Sequence, residues 1–264
     1  MGDFDGKVIL VTGGGTGLGA AIALGAARRG AKALILNCSK SLKEAEATAD
    51  RVRAAGAEAS IIVGDVAEDA DCRRIAEGCA RYGRLDALVN NAGITKHLPD
   101  HADLEGLSRE DFLRIFAVNT VAPFQMVRAC RSLLEAASSA SVLMVSSVAA
   151  VSGTGSSVAY AASKGALNTM TLSLARALAP AIRVNAICPG FMDTRWFGAG
   201  LGAEAAARLR ERVAQTAPLR VASSAEDVAD AALFLISEAA RRITGETLLV
   251  DAGTHLGFAP LRAR

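Results

Sequence analysis

The sequence has almost no excess of charge of either sign. Its 264 residues include 29 lysines and arginines against 27 aspartates and glutamates, which leaves a formal net charge of +2. Nucleic acids and anionic membrane surfaces are bound by concentrated basic fields, and these charges are instead spread along the chain. We therefore expect a small molecule as the partner, and neither nucleic acid nor membrane.

The sequence also lacks paired cysteines. It has five cysteines, an odd number, and none of them belongs to a C-x-x-C pair. Free thiols in apolar surroundings pack as small hydrophobic groups, so the cysteines predict a reducing compartment, the cytoplasm. The amino-terminal segment carries acids early and only a short apolar run, so it resembles neither a signal peptide nor an anchor.

Long apolar runs and clusters of metal ligands are missing as well. Residues 136–163 carry no charge, but Ser146, Ser147 and the loop SGTG interrupt any run of the ~18 residues that a membrane span needs. His97 and His101 are four residues apart, yet a proline lies between them and no third ligand is evident. We expect neither a membrane segment nor a metal ion.

Apolar runs of strand length alternate with helical patterns along the chain. Because these runs are continuously apolar, they predict parallel strands covered by helices on both faces. The sequence thus predicts an α/β fold, a single doubly wound Rossmann-type domain over residues 1–264. The one long departure is the segment of residues 191–220, which holds the only tryptophan, Trp196, and which we expect to form a lid over the ligand crevice.

A glycine-rich stretch, TGGGTGLG, begins at Thr12, follows the first predicted strand and opens the first predicted helix. Its glycines Gly13, Gly17 and Gly19 are not spaced as in the usual dinucleotide fingerprint. They nevertheless permit a tight turn and a close approach of a pyrophosphate to the amino terminus of a helix. Alone, the stretch would also fit a surface turn.

Polar residues follow two further strands at their carboxyl ends, where doubly wound sheets bind ligands. Asp65 follows the third strand, and Asn91 lies in the stretch NNAG after the fourth. Later in the chain, Tyr160 and Lys164 are four residues apart and share one helix face. An ammonium group beside a phenol suits acid–base catalysis, because it favours the phenolate. Each feature alone would also fit an ordinary turn or a solvated helix face.

Taken together, TGGGTGLG, NNAG, Asn119, Ser147, YAASK and PGFMDT resemble the short-chain dehydrogenase/reductase family over nearly the whole chain. The resemblance implies that Tyr160 exchanges a proton with the substrate oxygen and that Ser147 hydrogen-bonds this oxygen. It also implies that Lys164 holds the nicotinamide ribose and lowers the pKa of Tyr160, while Asn119 anchors a proton-relay water. Ser147 matches the family serine, thirteen residues before Tyr160, so Ser146 should point to the opposite side of its strand.

The resemblance further implies an NAD(P) cofactor whose binding residues come from several strand ends. They are Gly13, Gly15, Thr16, Gly17, Leu18, Gly19, Asn37, Ser39, Lys40, Asp65, Val66, Asn91, Ala92, Gly93, Tyr160, Lys164, Pro189, Gly190, Met192 and Thr194. Thr194 and the backbone of Met192 match positions that contact the carboxamide. We expect NADPH to be preferred, with NAD possible, because the second strand ends in Asn37, Ser39 and Lys40 without the acid that selects NADH.

The implied function is an oxidoreductase that moves hydride between the nicotinamide and a carbonyl or alcohol carbon. Within the family the chain looks most like 3-oxoacyl-(acyl-carrier-protein) reductases, so the substrate is expected to be a small or acyl-carrier-linked carbonyl compound. Related sugar or other secondary-alcohol dehydrogenases are the alternative, and a non-catalytic NADP-binding regulator is an alternative of a different class. Family precedent also implies a homotetramer built on the helices that follow Asn119 and Ser157.

Overall fold

The structure, a computed structural model, describes residues 2–98, 100–194 and 202–257. Within these ranges it has the strands β1 (Val8–Thr12), β2 (Ala33–Cys38), β3 (Glu58–Val63), β4 (Ala87–Asn90), β5 (Ala140–Val145), β6 (Ile182–Pro189) and β7 (Thr247–Val250). They form one sheet in the order β3-β2-β1-β4-β5-β6-β7, and every neighbouring pair is parallel. The strand order reverses between β1 and β4, and a crevice opens at the carboxyl ends of strands at such a point.

Helices cover both faces of the sheet. Those of the described ranges are α1 (Gly17–Arg28), α2 (Leu42–Ala54), α3 (Asp69–Cys79), α4 (Arg109–Phe116), α5 (Ala122–Glu135), α6 (Ala149–Ser152), α7 (Val158–Leu178), α8 (Ala203–Thr216) and α9 (Ala225–Ile236). Helices α1, α2 and α9 pack in one apolar cluster, and α3, α5 and α7 pack in the other. The predicted doubly wound α/β fold is confirmed. None of these described helices combines the length and apolar character needed to cross a bilayer.

The central strands explain the continuous apolar runs. Every residue of β1, β2, β4 and β5 is buried, because each of these strands lies between two helix layers. Burying one valine, leucine or isoleucine side chain contributes about 1.5–3 kcal/mol, so the central strands form the most stable part of the fold. The outer strands differ, since no residue of β7 is fully buried.

The connection between α4 and α5 places Asn119. Helix α4 begins at a capping box, in which Ser108 and Asp111 each accept from the other's backbone N–H. The chain then widens into a π-helical turn over Ala117–Val121 before α5 continues, and such turns often occur at functional sites. Asn119 lies in this turn and is fully buried.

The predicted lid lies partly outside the described residues, since residues 195–201, including Trp196, are not among them. The described part contains α8, which has no buried residue. An ion pair links this helix to the segment after β6, with 3.1 Å between Arg210 Nε and Asp193 Oδ2. The role of this segment as a lid stays a prediction.

Candidate active site

The glycine-rich turn after β1 leaves space at its crevice side. Gly13 and Gly17 have φ angles of +61° and +53°, which favour glycine. A Cβ atom added at Gly19 would lie 2.4 Å from the carbonyl oxygen of Gly13, so glycine is required there by close packing. A Cβ added at Gly17 would meet only Thr194 Cγ2, at 4.0 Å. The turn is therefore packed tightly against the sheet and open toward Thr194.

Two side chains that the sequence places at strand ends hold this turn in shape. Asn91 Nδ2 donates to the carbonyl oxygens of Thr12 and Gly13, at 2.9 and 3.1 Å. Thr12 Oγ1 accepts from the backbone N–H groups of Asn91 and Ala92, at 3.0 and 3.1 Å. Sequence reasoning missed Thr12 as a site residue. The available signal was a hydroxyl at the end of an otherwise apolar buried strand.

The end of β2 is linked to β3 by the side chain of Asn37. Asn37 is only 2% exposed, and its Nδ2 donates to the carbonyl oxygens of Ile62 and Gly64, at 3.1 and 3.0 Å. This amide group therefore links β2 to β3 through its N–H groups, and the contact of Asn37 with the cofactor stays a prediction. Ser39 and Lys40, which follow it, are both exposed at the rim of the crevice.

The loop after β3 contains the next two residues predicted to bind the cofactor, Asp65 and Val66. Asp65 is exposed, its carboxylate accepts from the backbone N–H of Ala67 at 3.0 Å, and Val66 is buried beside it. Val66 and Ala92 line the same small cavity, together with Val118 of the π-helical turn. Asp65 and Val66 follow the carboxyl end of β3, where sheets of this kind bind ligands, and their contact with the cofactor stays a prediction.

Tyr160, Ser147 and Lys164 lie together beyond β5. The hydroxyl groups of Ser147 and Tyr160 are hydrogen-bonded, and Ser147 Oγ also accepts from the backbone N–H of Ala149 at 3.1 Å. Lys164 Nζ donates to the carbonyl oxygen of Val145 at 2.8 Å and lies 5.7 Å from the centre of the Tyr160 ring. The strand end thus delivers the serine, and α7 delivers the tyrosine and the lysine.

Ser146 lies on the other side of the strand, as predicted. Its Oγ donates to the carbonyl oxygen of Lys164 at 3.2 Å, inside the protein. Of the two adjacent serines, only Ser147 presents its hydroxyl to Tyr160 among the described residues.

Burial is the largest cause of the pKa shifts of Tyr160 and Lys164. It raises the pKa of Tyr160 to about 12, although the hydrogen bond from Ser147 opposes the rise. It lowers the pKa of Lys164 to about 8, because the charged ammonium loses hydration. The pKa of Tyr160 is thus raised overall, because desolvation of the phenol is the largest effect, and the influence of Lys164 on it stays a prediction.

The side chain of Asn119 forms hydrogen bonds to two neighbouring segments of the protein. Its Oδ1 accepts from the backbone N–H of Ile94 at 2.9 Å, and its Nδ2 donates to the carbonyl oxygen of Ile94 and to Ser163 Oγ, both at 3.0 Å. Both side-chain N–H groups are thus used. The predicted role of Asn119 as an anchor for a relay water stays a prediction, and the structure adds that it joins the exit of β4 to α7.

The segment after β6 closes the crevice opposite the glycine-rich turn. Pro189 ends β6, and Gly190 packs so closely on Asp251 that an added Cβ would lie 2.6 Å from the aspartate Cβ. Met192 pairs with Ser223 in an isolated parallel bridge, which turns Thr194 toward Gly17. Most of the predicted residues are thus gathered around one crevice, while the side-chain N–H groups of Asn37 are used between β2 and β3.

One of the two histidines considered as metal ligands contacts the loop before α7. His101 Nε2 hydrogen-bonds the carbonyl oxygen of Gly155 at 3.2 Å. In the part of the chain that the structure describes, no three or more of His, Cys, Asp and Glu are grouped so that they could hold a metal ion.

Comparison with known proteins identifies the class. The family model described as Enoyl-(Acyl carrier protein) reductase matches residues 13–255. A protein named as a ketoacyl reductase of the granaticin polyketide synthase, from Streptomyces violaceoruber, is 40% identical over 250 residues, which cover 94% of this chain and 96% of that protein.

Two solved structures extend this similarity to the fold. One, described as a short-chain dehydrogenase/reductase from Burkholderia xenovorans, has a TM-score of 0.87 at 39% identity and covers 96% of this chain and 99% of its own. The other, described as an NAD(P)-dependent gluconate 5-dehydrogenase from Beutenbergia cavernae with bound NADP, has a TM-score of 0.83 at 31% identity and covers 94% and 96%. The chain belongs to the short-chain dehydrogenase/reductase family and is an oxidoreductase.

The crevice fits the NAD(P) cofactor that this family uses. A side chain at Gly17 would occupy the opening between this residue and Thr194. The opening lies at the amino terminus of α1, where backbone N–H groups favour phosphate. Asp65 and Val66, which follow the carboxyl end of β3, would lie toward the adenine end. Lys164, at the other end of the crevice, is placed for the ribose next to the reacting ring.

Proposed function

We propose that the protein is an NADPH-dependent reductase that converts a ketone into a secondary alcohol. The observation that carries this proposal is the hydrogen-bonded pair of Ser147 and Tyr160, with Lys164 one helical turn further along α7. Two hydroxyl groups that meet at one point can hold a single carbonyl oxygen between them. Asn119 stabilises this arrangement through Ser163.

In the proposed reaction a bound NADPH supplies the hydride to the carbonyl carbon. Ser147 donates a hydrogen bond to the carbonyl oxygen and orients it. Tyr160 gives its phenolic proton to this oxygen, so that hydride and proton together yield the alcohol. A pKa of about 12 keeps the phenol protonated at neutral pH, so that it can act as the proton donor. Lys164 holds the ribose in place.

The proposed substrates are 3-oxoacyl compounds, either small or linked to an acyl carrier. The similarity to a protein named as a ketoacyl reductase supports this class. The second candidate is the oxidation or reduction of a sugar or other secondary alcohol, which the structural similarity to a protein described as a gluconate 5-dehydrogenase favours.

The preference for NADPH is proposed from the end of β2. Ser39 and Lys40 are exposed there, and none of residues 37–40 is an acid that would repel a 2′-phosphate. A hydroxyl and an ammonium group can both donate hydrogen bonds to that phosphate. The Asn37 side chain, which is held between β2 and β3, fixes the strand end.

We also propose a homotetramer in the cytoplasm. Val121 and Phe124 near the start of α5, and Leu172 on α7, are between 44% and 54% exposed, and a second copy of the chain would cover them. All five cysteines are free and buried, which supports a reducing compartment.

A substrate panel tests the proposed function. The purified protein is mixed with NADPH and, in separate reactions, with a 3-oxoacyl thioester, an enoyl thioester and a cyclic ketone, and the loss of NADPH absorbance is followed. Oxidation of a secondary alcohol or of a sugar acid with NADP is run alongside. We expect the 3-oxoacyl thioester to be reduced fastest. No turnover of any substrate, with NADPH binding intact, would instead identify a cofactor-binding regulator.

A further inference from the structure

The backbone of Tyr160 is held from both sides by serines. Ser157, which precedes α7, accepts the backbone N–H of Tyr160 on its Oγ at 3.2 Å. Ser163 Oγ donates to the carbonyl oxygen of Tyr160 at 2.7 Å. The position of the phenol therefore depends on what holds these two serines.

The start of α7 is joined to the segment that follows β4. Ser156, directly before the capping residue Ser157, makes a contact of 2.6 Å between its Oγ and Thr95 Oγ1. The carbonyl oxygen of Ser156 also accepts from the backbone N–H of Leu98 at 2.7 Å. Both contacts come from outside the loop that contains Ser156, so they fix where α7 begins.

The other end of this connection returns to Asn119. Thr95 follows Ile94, whose backbone N–H and carbonyl groups are both bound by the Asn119 side chain. Asn119 also binds Ser163, the serine that holds the carbonyl oxygen of Tyr160. The hydrogen bonds thus form a closed path around Tyr160. In this path the hydroxyl groups of Thr95 and Ser156 join the segment after β4 to the start of α7.

We propose that Thr95 and Ser156 are positioning residues for Tyr160, acting through Ser157 and not through contact with the reacting atoms. This inference rests on the proposed function. When the hydroxyl pair is lost, the start of α7 shifts, and a small displacement of the phenol from the substrate oxygen slows proton transfer without weakening cofactor binding.

The same loop supplies a matched control. Ser152 Oγ and Thr154 Oγ1 form a hydroxyl pair of 2.8 Å, but it joins two residues within the loop and does not reach the segment after β4. Thr154→Val therefore removes a similar hydrogen bond from a nearby place. If positioning of Tyr160 is the cause, kcat should fall in Thr95→Val and not in Thr154→Val.

The kinetic test compares kcat and KM for Thr95→Val, Ser156→Ala and the double variant. We expect each to lower kcat by about three- to tenfold, the scale of one neutral hydrogen bond, with the KM for NADPH unchanged. The double variant should lose no more than either single variant, because both remove the same contact. Thr95→Ser, which keeps a hydroxyl, should restore kcat. Additive losses, or an equal loss in Thr154→Val, would overturn the proposal.

A second measurement does not depend on turnover. Amide hydrogen exchange in the first turn of α7 should become faster in Thr95→Val than in wild type and Thr154→Val, because the start of the helix is released. Unchanged exchange there would overturn the proposal even if the protein reduces ketones. Faster exchange in a protein that turns over none of the panel would support the positioning contact while the proposed function fails.

Discussion

The exits of β1 and β6 lie across the crevice from each other, and they are held in different ways. At the exit of β1, Asn91 and Thr12 fix the glycine-rich turn through hydrogen bonds to backbone atoms. Beyond the exit of β6, α8 has no buried residue, and the ion pair that joins Arg210 to Asp193 is exposed to water. The exit of β1 is therefore part of the tightly packed core, whereas α8 and the segment after β6 are joined by contacts that water reaches.

This difference predicts where mutations act. Changes at the groups packed on the sheet and α7 should alter the chemical step, since these groups cannot readjust. If residues 191–220 form the predicted lid, changes in their described part should alter substrate affinity and leave the chemical step nearly intact.

The largest effect is expected from Tyr160→Phe. Loss of the phenolic proton should lower kcat by about 100-fold or more, the usual scale for a positioned general acid. NADPH affinity should be kept, because the ring remains in place. Steady-state kinetics and fluorescence titration of NADPH measure the two quantities. A variant that reduces its substrate at nearly the rate of wild type would exclude the proposed mechanism.

The next effect is a pH dependence. Burial lowers the pKa of Lys164 to about 8, so its ammonium group loses the proton as pH rises through this value. Because the ribose is held by the charged form, kcat/KM should fall about tenfold for each pH unit above about 8. Tyr160, whose pKa burial raises to about 12, stays protonated throughout this range. In Lys164→Arg the fall should move to higher pH, and a flat profile up to pH ~10 in wild type would contradict the assignment.

A smaller change is expected from Lys40→Ala. Wild type should prefer NADPH over NADH by about 10- to 100-fold in kcat/KM, and the variant should lose about tenfold of this preference. Lys43→Ala, which removes another exposed lysine nearby on α2, serves as the control. Equal use of both cofactors by wild type would show that Ser39 and Lys40 do not read the 2′-phosphate.

The sheet, the glycine-rich turn and the grouping of Ser147, Tyr160 and Lys164 could be predicted from the sequence. Their signals are local, since they consist of continuous apolar runs, glycine spacing and a separation of four residues on one helix. The doubly wound arrangement then gathers the strand ends without further information.

The roles of Asn37 and Thr12 could not be predicted in the same way. A polar residue at a strand end can face the crevice or a neighbouring strand, and Asn37 binds carbonyl groups of Ile62 and Gly64 that lie far along the chain. The direction in which the pKa of Tyr160 shifts could not be predicted for a similar reason. Its dominant cause is burial by the whole fold, which the spacing of Tyr160 and Lys164 does not contain.

The smallest effect is expected in the predicted lid. Arg210→Ala removes the ion pair with Asp193. Asp193 lies between Met192, which pairs with Ser223, and Thr194. Because both charged groups are exposed, the pair contributes little, and the KM for substrate should rise only about two- to fivefold with kcat unchanged. Salt should produce the same rise in wild type and no further rise in the variant, since ions screen an exposed pair. Arg208→Ala is the matched control, because Arg208 pairs with Glu204 within α8 and not with the segment after β6. An equal rise in that control would mean that the charge of α8, and not its link to Asp193, governs substrate binding.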